Sequence, residues 1–350
     1  MPNNTSAQAP EHRTATDTLF AFLDNPAPSV AEVREVFAPL TVGEYTDVQI
    51  AALLATMRTR GTTAADITGA AQAFLVAARD FPVQGEGIMD CVGTGGDGAN
   101  TINISTGASL LAAACGLKVV KHGNRSVSSR SGSADVLEAL GIPLDLDPGR
   151  AERQVLASGF TFLFAPAYHP AFAHVMPVRK QLKVPTIFNV LGPVLNPARP
   201  ARQLLGLADP TLGPLMINTL KDLGRERALV VHGAGTDECA VHGPTQVWEL
   251  VDGEVSTYTL SPADFGVGTH KLQDLEGGDG RQNAAILREI FANRGTAAQR
   301  DAIVANAGAL FYLAGRCESF AQGSQLAAAA IEDGTVTAWL REHEEANYAK

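Results

Sequence analysis

Two glycine-rich stretches carry most of the chemistry this sequence can offer. The first reads Asp90-Cys-Val-Gly-Thr-Gly-Gly-Asp97 and runs on through Gly98-Ala-Asn-Thr-Ile-Asn-Ile-Ser-Thr106. The second reads Lys121-His-Gly-Asn-Arg-Ser-Val-Ser-Ser129. Gly93, Gly95, Gly96 and Gly98 remove side-chain bulk where a backbone must come close to a ligand. Thr94, Asn103, Ser105, Thr106, Ser126, Ser128 and Ser129 add small donors and acceptors, and Lys121 and Arg125 add positive charge. Backbone N–H groups, hydroxyls and a helix N-terminus gathered around cations suit a phosphorylated ligand. The spacing is neither a GxGxxG fingerprint nor a P-loop, so dinucleotide and P-loop NTPase readings lose ground. Ser105 or Thr106 could also simply cap a helix, and a capped terminus with spare hydroxyls is still an anion or metal site.

Asp237-Glu238 closes the run Val231-His-Gly-Ala-Gly-Thr-Asp-Glu238. Adjacent carboxylates on such a turn are often just solvated. Opposite a phosphate cradle they would suit Mg²⁺, which takes carboxylates together with substrate phosphates. His232 and His242 have no metal-ligand spacing with them, which argues against zinc. Arg179, in Met176-Pro-Val-Arg-Lys-Gln-Leu182, is either a surface cation or a guanidinium fork for a substrate carboxylate. His169, in Tyr168-His-Pro170, either is structural or lines a pocket. Phe188 to Pro197 reads as a turn-rich wall. No Ser–His–Asp signature stands out, which points to catalysis by positioning and charge stabilisation.

The elements that position these residues follow from periodicity. Ser29-x-x-Glu32 is a capping box opening a helix to Phe37. Ile50, Leu53, Leu54 and Met57 share one helical face that should end at Gly61. Ile67, Ala70, Ala71, Phe74 and Ala78 repeat the spacing. With Phe81 to Gly85 as a linker, the first ~85 residues read as an all-helical unit. Then β-rich runs recur at Ile88–Val92, Lys118–Lys121, Thr161–Ala165, Leu204–Leu207 and Ala228–His232. Helical stretches at Ala108–Cys115, Ala134–Leu140 and Pro210–Leu223 alternate with them, which argues for a mostly parallel α/β sheet. Four of these strands run into the loops GTGGD, KHGNR, APAYHP and HGAGTDE, and ligands sit at the carboxyl ends of such strands. Trp248–Val251 and Glu254–Leu260 flank Asp252-Gly253, a hairpin signal. Residues 281–342 return to helix.

The 350 residues suffice for roughly two domains. A net charge of −10 opposes broad binding to nucleic acid or to an anionic membrane, so any anion site must be a local basic pocket. The polar stretch from Met1 to Thr16 lacks a signal core, and the longest apolar run, Ala108 to Cys115, is too short to span a bilayer. Cys91, Cys115, Cys239 and Cys317 are scattered without a CxxC pair, which fits a reduced, cytoplasmic setting.

Taken together, Asp90-x-x-Gly-Thr-Gly-Gly-Asp97, Asn103-x-Ser-Thr106, Lys121-His-Gly-Asn-Arg125-x-x-Ser-Ser129, Gly132-x-Ala-Asp-x-Leu-Glu-Ala-Leu140, Phe188-Asn-x-Leu-Gly-Pro193 and Asp237-Glu238 stand in the order and spacing of one family. From about residue 15 to 342 the chain resembles the anthranilate phosphoribosyltransferases of tryptophan biosynthesis. The resemblance implies Mg²⁺-assisted transfer of a 5-phosphoribosyl group from phosphoribosyl pyrophosphate to the amine of anthranilate. It assigns the donor to Gly93, Gly96, Asp97, Thr101, Asn103, Ile104, Ser105, Thr106, Lys121, His122, Gly123, Asn124, Arg125, Ser126, Val127, Ser128, Ser129 and Ser133. It assigns anthranilate to Gly93, Asn124 and Arg179, with His122, His169, Gly192 and Pro193 lining its approach, and the metal to Ser105, Asp237 and Glu238. The implied fold is a small N-terminal all-helical domain and a larger α/β domain with a mostly parallel central sheet, the site lying in the cleft. The implied boundaries are a disordered tail over 1–14, a helical domain over 15–85 joined by about 178–202, and an α/β domain over 86–177 and 203–345. A homodimer through the helical domain is implied as well. One departure is visible: where the family often has Leu-Gly-x-Arg-Thr, this chain has Leu182-Lys-Val-Pro-Thr186, with Lys180 and Lys183 as nearby cations.

Two other readings share part of this pattern. A pyrimidine nucleoside phosphorylase would use phosphate and a nucleoside, with different glycine and lysine motifs. An offshoot that binds nucleic acid would carry a basic groove, which the net charge opposes, and could lack Arg179 or the Asp237-Glu238 pair, which are present.

Overall fold

The computed structural model describes residues 14–125, 130–144 and 146–348. The expected tail therefore lies outside the described residues except for Thr14, as do Ser126, Val127, Ser128 and Ser129. The chain divides into two compact units, one of residues 1–77 with 171–187 and the other of 78–170 with 188–350.

The helical unit begins with α1 (Ala15–Leu23), α2 (Val30–Thr41), α3 (Asp47–Arg60) and α4 (Ala64–Val76). Each opens on a capping box: Thr14 with Asp17, Ser29 with Glu32, Thr46 with Gln49, and Thr63 with Asp66. Reciprocal bonds at each start satisfy N–H groups that a helix leaves orphaned, so four short helices begin at defined residues. Phe37, Leu40, Leu53, Leu54, Met57, Ile67 and Phe74 form the buried core between them. Asp66 is buried too, and it is paired with Arg60 at 2.6 Å.

The α/β unit opens with β1 (Gly85–Gly93), α5 (Ile104–Ala114), β2 (Lys118–Gly123), α6 (Ser133–Ala139), α7 (Pro148–Ser158), β3 (Phe160–Phe164) and α8 (Ala165–Tyr168). The chain then returns to the helical unit as α9 (Phe172–Leu182). The Phe172 ring lies 4.9 Å from that of Phe74, and Val175 and Val178 are buried. The returning stretch is thus 171–187 rather than about 178–202. The residues after 187 form α10 (Phe188–Leu191) and lead into β4 (Pro200–Gly206), which hydrogen-bonds along β1. The expected linker differs as well: Phe81 is fully buried with Ile88, Val120 and Tyr168, so the α/β unit already starts there.

The remaining elements are α11 (Gly213–Asp222), β5 (Arg227–Gly233), β6 (Thr245–Val251), β7 (Glu254–Leu260), α12 (Gly280–Phe291), α13 (Ala297–Leu313), α14 (Phe320–Glu332) and α15 (Thr335–Tyr348). Among the described residues the strands form one sheet in the order β3-β2-β1-β4-β5-β6-β7. The first five in that order are parallel, and β6 and β7 add an antiparallel hairpin. Its turn, Asp252 at φ +50° and Gly253 at φ +80°, takes the conformation that matches strand twist. The larger core joins β1, β2, β4 and β5 to α5, α12, α13 and α14. Parallel strands buried on both faces read as continuous apolar runs, which makes them legible in the sequence.

Candidate active site

Parallel pairing puts the carboxyl ends of β1, β2, β3, β4 and β5 on one edge of the sheet. The loop after β5 and the carboxyl end of β2 meet the segment after β1 at Ser105, in the first turn of α5. Its backbone N–H donates to Glu238 Oε1 at 3.2 Å, and its hydroxyl accepts from Lys121 Nζ at 3.3 Å. The Lys121 ammonium also donates to the carbonyl of Cys91. Lys121 is 1% exposed and lies within β2, where the β-rich run Lys118–Lys121 placed it. No side chain caps α5 at Asn103, and neither Ser105 nor Thr106 plays that part: Ser105 faces Glu238 and Lys121, and Thr106 Oγ1 donates to Ser133 Oγ at 3.1 Å. The start of α5 thus carries the Glu238 carboxylate on one N–H and lies beside a buried ammonium, and the helix terminus and that cation together favour anions.

Asp237 reaches the same place from the loop after β5. Its Oδ2 accepts from Gly95 N at 2.7 Å. A Cβ on Gly93 would lie 2.1 Å from that oxygen, and one on Gly206 would lie 1.7 Å from the Asp237 carbonyl oxygen. Gly93 therefore makes room first for Asp237, and Gly206, which the sequence reading passed over, does the same from β4. Burial drives the Asp237 carboxyl up to about 6, helped by the neighbouring charge of Asp97. Burial and then Asp237 push Glu238 well above the usual carboxylate range, against the pull of Lys121. Two buried acids that ionise reluctantly by themselves form a donor set that a divalent cation would relieve. Among the described residues no three Asp, Glu, His or Cys side chains form a closed metal cage. Magnesium does not require one, since it is held by one or two carboxylates plus substrate phosphates. The residues present fit Mg²⁺ on those terms.

The other expected donor residues occupy varied positions. Gly95, Gly96 and Gly98 adopt φ of +66°, +81° and +72°, with open space where a Cβ would be. Asp97 Oδ1 accepts from Ala99 N. Thr101 bridges to Glu276, and Asn103 donates to the carbonyl of Ser131. Ile104 points into the core, so only its backbone can meet a ligand. Gly123 ends β2, and Asn124 Oδ1 accepts from Arg125 N at 2.8 Å. Arg125 is exposed and turned to Glu138 and Asp135, at 2.8 and 3.1 Å.

His122 and His169 form the apolar-sided part of the site. Their rings stand 5.1 Å apart, edge to face. The Gly192 backbone lies beside the His122 ring and partly offsets the effect of its burial, and His169 Nε2 lies 2.9 Å from the Leu195 carbonyl. Burial holds His169 down to about 4 and His122 well below the usual range, so both are neutral at pH 7. The Pro193 carbonyl accepts from Gln203 Nε2 at 2.7 Å, which anchors the Gly192-Pro193 turn beside these rings. Arg179 belongs to the helical unit, on α9. It is half-buried, and that burial lowers its tendency to hold a proton. At the departure noted above, Arg58 Nη1 donates to the Pro185 carbonyl at 2.8 Å, so a guanidinium stands at that place from another helix.

The comparisons agree on one family. Residues 17–78 match the helical bundle domain of the glycosyl transferase family, and residues 85–337 match its a/b domain. The chain is 64% identical over 334 residues to the anthranilate phosphoribosyltransferase of Corynebacterium diphtheriae, covering 95% of this chain and 98% of that one. The crystal structure of the Thermus thermophilus anthranilate phosphoribosyltransferase superposes with a TM-score of 0.89 at 39% identity, over 95% of this chain and 99% of the other. The Saccharomyces cerevisiae anthranilate phosphoribosyltransferase, solved in complex with PRPP and Mg, gives 0.84 at 26% identity, over 95% and 98%.

Proposed function

The chain belongs to the anthranilate phosphoribosyltransferase family, and from that premise we propose how its own residues serve the transfer. The donor is phosphoribosyl pyrophosphate and the acceptor the amine of anthranilate. A C–N bond forms at C1′ of the ribose, the C–O bond to pyrophosphate breaks, and the amine's proton passes to solvent. The arrangement that carries this reading is the junction at Ser105, where the start of α5, the Lys121 ammonium and the Glu238 carboxylate lie within one hydrogen bond of the same residue. Anthranilate's amine is already a nucleophile, so the site needs no strong base, and the neutral His122 and His169 agree with that. Its main task is to hold an anion and stabilise its departure.

Lys121, the first turn of α5 and the glycines from Gly93 to Gly98 hold the donor's phosphates, with Asn124 just after β2 and Ser133 at the start of α6. Asp237 and Glu238, with the Ser105 hydroxyl, hold Mg²⁺. When bound, that ion supplies charge to offset the leaving pyrophosphate. His122, His169, Gly192 and Pro193 form the wall for the aromatic acceptor. Arg125 is available to the donor once it leaves Glu138 and Asp135. The direct test is loss of anthranilate fluorescence on adding phosphoribosyl pyrophosphate and Mg²⁺, with each omitted in turn. Loss that needs both additions supports the reading. No loss with folded protein removes it and turns attention to uridine phosphorolysis or an oligonucleotide gel shift.

Arg179 is assigned to the acceptor's carboxylate, which a planar guanidinium fork matches. Arg179→Ala should raise KM for anthranilate about ten- to a hundredfold, with KM for the donor nearly unchanged, the loss of one charge-assisted pair. An unchanged acceptor KM would take Arg179 out of the site.

Self-association through the helical unit is supported by its exposed apolar side chains: Phe20 is 60% exposed, Val42 65%, Val48 79% and Val76 79%. Sedimentation should return twice the 36.6 kDa chain mass, and Phe20→Glu with Val48→Glu should lower it. A wild-type mass of one chain would refute the dimer. Free thiols at Cys91, Cys115, Cys239 and Cys317 support a reducing, cytoplasmic compartment. No helix among the described residues is long and apolar enough to cross a membrane.

A further inference from the structure

The stretch Leu275-Glu-Gly-Gly-Asp-Gly280 and the helix after it carry polar groups that nothing above uses. Asn283, in the first turn of α12, is 1% exposed, so its amide is out of water. Its Nδ2 donates to Asn103 Oδ1 at 2.7 Å, and its Oδ1 accepts from Gly278 N at 2.7 Å. Asn103 in turn donates through Nδ2 to the Ser131 carbonyl at 3.3 Å. Both ends of the Asn103 amide are therefore engaged by protein.

The main chain joins the same two stretches. Ile102 N donates to the Leu275 carbonyl at 2.9 Å, and Gly277 N donates to the Asn100 carbonyl at 2.9 Å. Glycine permits this approach. A Cβ on Gly277 would lie 2.7 Å from the Thr101 carbonyl oxygen, and one on Gly280 would lie 2.8 Å from the Asp135 carbonyl oxygen. The first contact falls on the loop before α5 and the second on α6, which follows the β2 loop. A buried amide must stay paired, and an Asn has only one orientation that meets an oxygen on one side and an N–H on the other.

We propose that Asn283 is a positioning residue for the phosphoribosyl donor. It fixes the Asn103 side chain, and through it the register of residues 100–106 against Ser131. This rests on the reading that the start of α5 faces the donor. Asn103 then acts less as a ligand of the donor than as a strut, and the loop's contacts to phosphate fall to its backbone N–H groups and the Ser105 hydroxyl. Nothing local in the sequence marks Asn283, which lies 180 residues from its partner.

The test is a double-mutant cycle on the full-length enzyme, with both KM values, kcat and Tm read for each variant. Asn283→Asp is nearly isosteric and still accepts from Gly278 N, but it turns an oxygen toward Asn103 Oδ1. While the new carboxyl is ionised, Asn103 can answer only by flipping its amide and leaving Ser131, so the effect should be largest at high pH, where no proton is taken up to restore the bond. Asn283→Asp, Asn283→Ala and Asn103→Ala should each raise KM for the donor about tenfold, the scale of one lost buried hydrogen bond. The acceptor KM should stay within about twofold. The double variant Asn103→Ala with Asn283→Ala should be no worse than the worse single one. Should Asn283→Ala fail to fold, Asn283→Asp and Gly277→Ala carry the same expectation. Donor KM unchanged in the Asn283 variants but raised in Asn103→Ala would overturn the positioning role and leave the proposed function standing. Donor KM unchanged in Asn103→Ala as well would remove the donor from this loop. A fall in Tm with kcat and both KM values altered alike would make Asn283 a core amide only.

Discussion

Changing Asp237 to Asn and Glu238 to Gln together should lower Mg²⁺-dependent turnover at least about a hundredfold, and a thousandfold loss would be unsurprising. Charge stabilisation by a bound cation is worth several kcal/mol, and each 1.36 kcal/mol is tenfold in rate. The prediction has a second half that separates it from simple damage. The amide oxygens can still accept from Gly95 N and Ser105 N, so the local hydrogen bonds survive. The substitutions also remove two carboxyls that burial holds well above their usual range. In the free protein those groups lower stability as pH rises, because the unfolded chain ionises them more readily. The double variant should therefore melt no lower than the wild type at pH 8, and higher if anything, while turnover collapses. Raising Mg²⁺ tenfold should not restore it. Full activity would end the metal assignment. Lost activity together with a lower Tm would mean that the pair holds the loop after β5 together rather than serving the reaction.

That opposition of stability and activity shows what kind of site this is. Gly93 and Gly206 give up side chains so that Asp237 can sit against two strand ends. Glu238 is driven inward beside Lys121 with one backbone N–H to hold it. Burying two carboxyls in this way costs stability, which the rest of the fold must offset.

Local pattern carried the sheet and most of the helices. The strand cores at Ile88–Val92, Lys118–Lys121 and Ala228–His232 lie inside β1, β2 and β5, since strands buried on both faces leave unbroken apolar runs. The Asp252-Gly253 turn is readable because few sequences tolerate two successive positive φ values. α7 escapes such a reading: Asp147 caps it and Pro148-Gly149 opens it, and that pair also spells a turn. What stays hidden depends on distant contacts. Nothing in Phe172 to Leu182 announces that it packs with Phe74. Lys121 reads as the end of a strand running into a basic turn, and its burial shows only once β2 pairs with β1 and β3. Gly206 looks like any strand-end glycine until Asp237 arrives against it. The two glycine-rich loops are visible as chemistry, but the partners that make them a site are not.

Lys121→Met tests the most buried of those hidden features and should cost both activity and stability. The Lys121 ammonium bonds to the Cys91 carbonyl and the Ser105 hydroxyl and lies near Asp90 and Glu238. Removing one partner of a buried ionic cluster typically costs about 3–5 kcal/mol, and methionine keeps the length, so little of the loss is cavity. For the reaction, the donor's phosphates lose the cation closest to the start of α5, and kcat/KM should fall about a thousandfold, by the same energy. The pH dependence identifies the cause. Asp90 is fully buried and its carboxyl is already raised to about 6, with Lys121 pulling it down. Without the ammonium it rises further. A raised folded-state pKa means the folded chain binds the extra proton, so stability is lost as pH climbs from the unfolded value toward the folded one. Wild type and variant share that loss up to about pH 6, and only the variant continues beyond it. The gap in Tm between them should therefore widen from pH 6 to pH 8 and level off below pH 6. A gap that is flat with pH would place the cost in packing and detach Lys121 from Asp90. A variant with normal donor KM and kcat would detach it from the phosphates as well.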